Sequence, residues 1–133
     1  MDEQKKVIVR GICINEGNIL LIHVPASNGK AEHFVLPGGR ASEDESIEAA
    51  LTREFEKDTC VNVSIRDLFL SSDDISEGEG VEDDCYICDY KFGAPAKRDD
   101  TSPYTPVWIP LAHMKQINLY PEKIKELILK DIS

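Results

Sequence analysis

Apolar and polar positions divide the chain into strands, two helices and polar connections. Residues 7–15 are rich in β-branched side chains and read as a strand. Asn15-Glu16-Gly17-Asn18 is a turn sequence, and 19–24 is a second apolar run, so together they predict a hairpin. Residues 25–32 read as a loop and 33–36 as a short strand stopped by Pro37. A helix is expected over about 44–59, because Ile47, Ala50, Leu51 and Phe55 recur at helical intervals. Ser42 or Asp44 is placed to cap it, and Ser42 with Glu45 has the spacing of a capping box. Residues 61–71 read as a strand with alternation at Val61, Val63 and Ile65. An acidic loop over 73–84, a strand over 85–92, a polar connection over 93–103 and a last strand over 104–109 follow. Residues 110–116 read as a short helical turn. Pro121 then opens a terminal helix, with Ile124, Leu127, Ile128 and Ile132 on its apolar side and Lys123, Lys125 and Lys130 outward. Strands, helix, strands, helix is not a regular βαβ alternation. The fold class expected is α/β of the α+β type, with mixed packing around an antiparallel or mixed sheet.

Composition narrows the function. At 133 residues, 41% of them apolar, the chain fits one domain, 1–133, with one core. Its formal charge of −10 argues against binding nucleic acid or anionic membrane, which needs a basic surface. An anionic small molecule remains a partner if metal ions intervene. No apolar run approaches the roughly 18 residues of a transmembrane helix. The first residues, Met-Asp-Glu-Gln-Lys-Lys, lack a secretory cleavage pattern, so a cytoplasmic protein is expected. Cys13, Cys60, Cys85 and Cys88 are then most simply reduced thiols. Cys85 and Cys88 sit in a strand-like run that points them to opposite faces, which argues against a zinc site.

The chemistry concentrates in 36–61, Leu-Pro-Gly-Gly followed by an acidic segment and the central helix. Gly38 and Gly39 permit close backbone approach to a ligand. On a helix of about 100° per residue, Glu54 and Asp58 stack on one face, Lys57 flanks it and Glu56 points the opposite way. Stacked carboxylates are common on solvated helix faces, but they are also hard oxygen ligands for Mg²⁺. The register decides between these readings. Five residues separate Gly39 from Glu45, seven separate Glu45 from Arg53-Glu54, and Phe55, Lys57-Asp58, Cys60 and Val61 close the pattern.

This register resembles the Nudix box, G-x5-E-x7-R-E-U-x-E-E-x-G-U, where U is a bulky apolar residue. Gly39, Glu45, Arg53, Glu54, Phe55 and Val61 match it. Lys57 stands where the first Glu of the EE pair belongs, Asp58 stands for the second, and Cys60 replaces the closing glycine. The flanks are also similar to Nudix hydrolases, at 10–24, at His33 to Gly39, at Val107-Trp108-Ile109-Pro110-Leu111 and at Asn118-Leu119-Tyr120-Pro121. The resemblance implies a mixed β-sheet sandwiched between helices. It implies hydrolysis of the pyrophosphate bond of a nucleoside diphosphate derivative or nucleotide, with Mg²⁺ or Mn²⁺ as cofactor; many relatives are homodimers. Glu54 matches a metal ligand that in some members is also the base activating water. Asp58 matches a second metal ligand, and Arg53 a residue that orients a box glutamate. Gly38 and Gly39 match the loop supporting the site, and Glu45 an outer-shell glutamate.

Lys57 puts a cation where a metal-binding carboxylate belongs. At an effective dielectric of about 20, a charge about 4 Å away contributes on the order of 4 kcal/mol, enough to expel a metal ion. Three outcomes follow: Lys57 pairs with Glu54, contacts the substrate phosphate as a point charge, or turns to solvent. The rival function is a degenerate member that binds a nucleotide or metabolite without turnover. Arg40, directly after the glycines, is the phosphate candidate by position. The 73–84 loop holds seven acids in twelve residues, and Glu79 or Glu82 is the candidate for a further metal ligand. Arg10 reaches a phosphate or a surface acid, His33 is a weak pocket candidate, and Lys97 and Arg98 read as solvated. Tyr104 and Trp108 are candidates for stacking on a base, though core packing is the commoner fate of strand aromatics. A proline about sixteen residues past the box, which marks ADP-ribose enzymes, is missing; that stretch reads Ser-Glu-Gly-Glu-Gly.

Overall fold

A computed structural model describes residues 6–71 and 81–132. The elements are β1 (Lys6–Asn15), β2 (Asn18–Val24), β3 (His33–Val35), β4 (Gly38–Ala41), α1 (Ile47–Thr59), β5 (Asn62–Leu70), β6 (Val81–Phe92), β7 (Thr105–Pro110), a 3-10 helix (Leu111–Gln116) and α2 (Glu122–Asp131). The expected hairpin is present: Asn15 pairs with Asn18, and Glu16 and Gly17 both take positive φ, as a two-residue hairpin turn requires.

The strands form one mixed sheet with β1 and β2 at its centre. Along one edge β1 runs parallel to β6, from Lys6 opposite Val81 to Cys13 opposite Cys88. Along its other edge β1 pairs first with β4 and then, at its far end, with β2. In turn β2 carries β7 on one side and β3 beyond the hairpin on the other. β5 completes the sheet beside β6.

Alternation along these strands splits the core in two. Val9 and Cys13 of β1, Leu20 of β2 and Cys88 of β6 face α1, where they meet Leu51 and Phe55. Ile12, Ile19, Leu21 and Cys85 face the other way, toward Met114, Leu119, Ile124 and Ile128. The sheet is therefore covered on both faces, and Cys85 and Cys88 do point apart. Burial pushes the Cys13 and Cys85 thiols up to about 12, and it raises Cys88 further.

Three elements differ from the sequence-based expectation. β6 begins at Val81, not 85, so residues 81–84 of the expected acidic loop pair with β1 instead. The helix starts at Ile47, not 44, and its cap is Ser46, whose hydroxyl accepts from Ala49 N at 3.1 Å. The Ser42–Glu45 contact exists, with Glu45 Oε1 accepting from Ser42 N at 3.0 Å, but it closes a turn before the helix. The Gly38-Gly39 segment is a strand rather than a turn. Gly38, at φ +154°, lies so close to β1 that a Cβ would stand 2.0 Å from Val9 O. A side chain there would push β4 off β1.

Candidate active site

Glycine is again needed at Gly39, where a Cβ would stand 2.4 Å from Glu54 Oε1. The missing side chain lets α1 lay the Glu54 carboxylate directly on β4. Glu54 is buried although charged, and Arg53 holds it from the side: Nη1 donates to Glu54 Oε2 at 2.6 Å. The same guanidinium donates to both oxygens of Glu45, at 2.7 and 2.8 Å, and to Arg40 O at 3.1 Å. Arg53 thus ties the turn before α1, strand β4 and Glu54 together. Its hydrogen bonds, with those from Ser42, hold the Glu45 carboxyl down at about 2, and the two glutamates raise Arg53 above its usual range.

One turn on, Asp58 faces Glu54. Burial raises the Asp58 pKa first, and the Glu54 charge raises it further, while Lys57 and Arg98 pull it down. Lys57 Nζ lies 3.9 Å from Glu54 Oε2, close enough for an ion pair and too long for a hydrogen bond. Glu56 is exposed on the opposite side of α1.

These groups form the charged end of a cleft of about 520 Å³. Its apolar wall comes from Ile22 and Val24 of β2, Val35 of β3, and Leu36 and Pro37. Gly38, Glu54, Lys57, Asp58 and Arg98 complete the floor and charged side, and His33, Ser102 and Tyr104 stand at the margin. The structure therefore joins Gly38, Glu54, Lys57 and Asp58, with Gly39 supporting Glu54 from beneath. Arg40 is not brought in. It is exposed and does not line the cleft. Glu82 enters β6 opposite Val7, but its side chain, like Glu79 and residues 72–80, lies outside the described residues. Among the described residues no three His, Cys, Asp or Glu side chains converge as a metal-binding group.

Arg98 is the residue that sequence reasoning missed. It sits in the polar 93–103 connection, where no periodicity or motif marks it. Ala96 N donates to Thr59 O at 3.1 Å and brings this connection to the end of α1. Arg10, by contrast, is occupied elsewhere, donating to both oxygens of Asp83 at 2.7 and 2.8 Å. Trp108 packs in the α1-side core against Tyr90, with ring centroids 5.8 Å apart, whereas Tyr104 is 51% exposed.

The NUDIX domain model matches residues 4–128. The chain belongs to the NUDIX family. Solved Nudix structures show the same fold. A MutT NUDIX hydrolase from Burkholderia pseudomallei superposes with a TM-score of 0.73 at 24% identity, covering 98% of this chain and 100% of that one. An ADP-ribose pyrophosphatase from Streptococcus suis gives 0.72 at 17% identity, covering 98% and 94%. The E. coli ORF135 protein gives 0.71 at 22% identity, covering 96% and 90%. No curated protein matches the sequence. Within this Nudix fold the box glutamates Glu45 and Glu54 take their places through Arg53, and the altered positions, Lys57 and Asp58, both border the cleft. Among the described residues no helix is long and apolar enough to cross a membrane.

Proposed function

We propose that this Nudix chain hydrolyses the pyrophosphate bond of a nucleoside diphosphate derivative or nucleotide, using Mg²⁺ or Mn²⁺. What carries the reading is Glu54 and Asp58 together in a cleft that Ile22, Val24, Val35, Leu36 and Pro37 also line. A nucleotide has the matching division, a flat base at one end and phosphates at the other. The donor set fits a hard divalent cation. The two carboxylates lie one helical turn apart and line the same cleft. Mg²⁺ is commonly held by one or two carboxylates, with waters and substrate phosphates completing its shell. Glu54 and Asp58 would hold it, with Glu82 as the further candidate, and it would neutralise the phosphate oxygens as charge builds.

The chain's own groups do the rest. Glu54 accepts a proton from water as the water oxygen bonds to phosphorus. The anhydride P–O bond breaks, and its electron pair leaves with the departing phosphate. Arg53 is a positioning residue: it holds Glu54 by hydrogen bond and does not line the cleft. The rival reading, nucleotide binding without turnover, is favoured by one observation, Lys57 Nζ at 3.9 Å from Glu54.

A screen of nucleoside diphosphate derivatives with Mg²⁺ and with Mn²⁺ separates the two. The parent is expected to release phosphate or nucleotide, and Glu54→Gln to lower kcat by roughly a hundredfold or more. No turnover by the parent, with turnover appearing in Lys57→Glu, would overturn hydrolysis in favour of binding alone.

A further inference from the structure

We infer that Lys57 and Arg98 form a two-point cationic clamp that binds the substrate's diphosphate group directly, in the cleft they share with the carboxylates Glu54 and Asp58. The inference rests on reading the cleft as a phosphoanhydride site, and it concerns Lys57, a box position that departs from the pattern, and Arg98, which lies outside the box. Three observations lead to it.

First, the cations that line the cleft are Lys57 and Arg98, and Arg40 does not. Second, both are underemployed. Lys57 makes a single 3.9 Å ion pair, and Arg98 makes no hydrogen bond or ion pair among the described residues. Third, they come from separate elements that are tied together. Ala96 N on Thr59 O fixes the connection to α1, and Asp99 Oδ1 accepts from Thr101 N at 2.9 Å and Oγ1 at 2.6 Å just beyond Arg98.

Two unspent cations facing two carboxylates leave the charged end formally balanced. A divalent cation and a diphosphate entering together keep it nearly so. An arginine offers a fork that matches two phosphate oxygens, and a lysine offers a compact point charge. Lys57, in place of a metal-binding acid, then supplies positive charge to the phosphate itself.

The test is an NMR titration of the ¹⁵N-labelled full chain with methylenediphosphonate, a hydrolysis-resistant diphosphate, in EDTA. Saturable shifts are expected at the amides of 57–60 and 96–102. Lys57→Ala and Arg98→Ala should each weaken binding by about tenfold or more, the scale of one charge-assisted hydrogen bond. Arg98→Lys should recover part of the loss, and Lys97→Ala should stay within about twofold of the parent. ADP in place of the diphosphonate should bind more tightly if the clamp serves a nucleotide; equal affinity assigns the same clamp to inorganic diphosphate. Binding only when Mg²⁺ is present, or affinity unchanged in both alanine variants, would overturn the clamp. Turnover by the parent with unchanged diphosphonate affinity in the variants sinks the clamp and leaves hydrolysis standing. Clamp-dependent affinity without turnover does the reverse. Arg98 is exposed, so its removal does not threaten folding.

Discussion

At the scale of single residues the site depends on a relay of charge. Glu45 holds Arg53, and Arg53 holds Glu54. None of the three alone explains why a carboxylate is buried at the end of a cleft. The relay has a pH signature. The Glu45 carboxyl is lowered from 4.5 to about 2 in the folded chain. A lowered carboxylate favours folding at pH values above its unfolded pKa, and that contribution disappears as pH falls through the folded value. Glu45→Gln is therefore expected to lower the melting temperature at pH 7 and to approach the parent as pH falls from about 4.5 toward 2. Thermal melts across that range, followed by circular dichroism, check this; a constant difference at every pH would contradict it. The resemblance of the register already implied that Arg53 orients a box glutamate; that it holds Glu45 and Glu54 together comes from the structure. Arg98 was not legible, because nothing local distinguishes an arginine that reaches a site from one that is solvated.

At the scale of elements, α1 shows how a helix is held in place by its ends. Ser46 caps the start. At the other end Cys60 takes φ +66°, the left-handed conformation that glycine adopts without penalty, and its N–H donates to Glu56 O. The box pattern has glycine here, and the strain identifies why. Cys60→Gly is expected to raise stability by about 0.5–1 kcal/mol in urea denaturation, with the slope of the transition unchanged. In the sequence Cys60 showed as the residue that replaces the closing glycine of the box. The identity of β4 did not show. Two adjacent glycines read as a turn, yet here their missing side chains admit β1 from one side and Glu54 from the other. A local propensity was overridden by two close approaches that no local window contains.

For the whole molecule, the sheet separates two cores, and the cleft belongs to the α1 side. The opposite side is closed by the 3-10 helix and α2, with Ile124 and Ile128 fully buried. Ile128→Ala leaves a cavity there and is expected to cost about 2–4 kcal/mol in chemical denaturation. The apolar periodicity of residues 121–132 already assigned those side chains inward. That α2 covers the sheet face away from α1 follows from the crossing of the chain, through β7, to the far side.

The sequence by itself determined the order of strands and helices apart from β4, the facing of Cys85 and Cys88, the family through its register, and the stacking of Glu54 with Asp58. Each of these is local: periodicity and fixed spacing set which side chains share a face. Tertiary structure alone decided that Gly38-Gly39 is a strand, that Arg40 stays outside, and that Arg98 comes in. It also decided that, of the three outcomes open to Lys57, the ion pair with Glu54 at 3.9 Å is the one formed. These outcomes depend on which distant segments approach one another, through backbone contacts such as Ala96 on Thr59. A linear pattern of side chains contains no term for that approach.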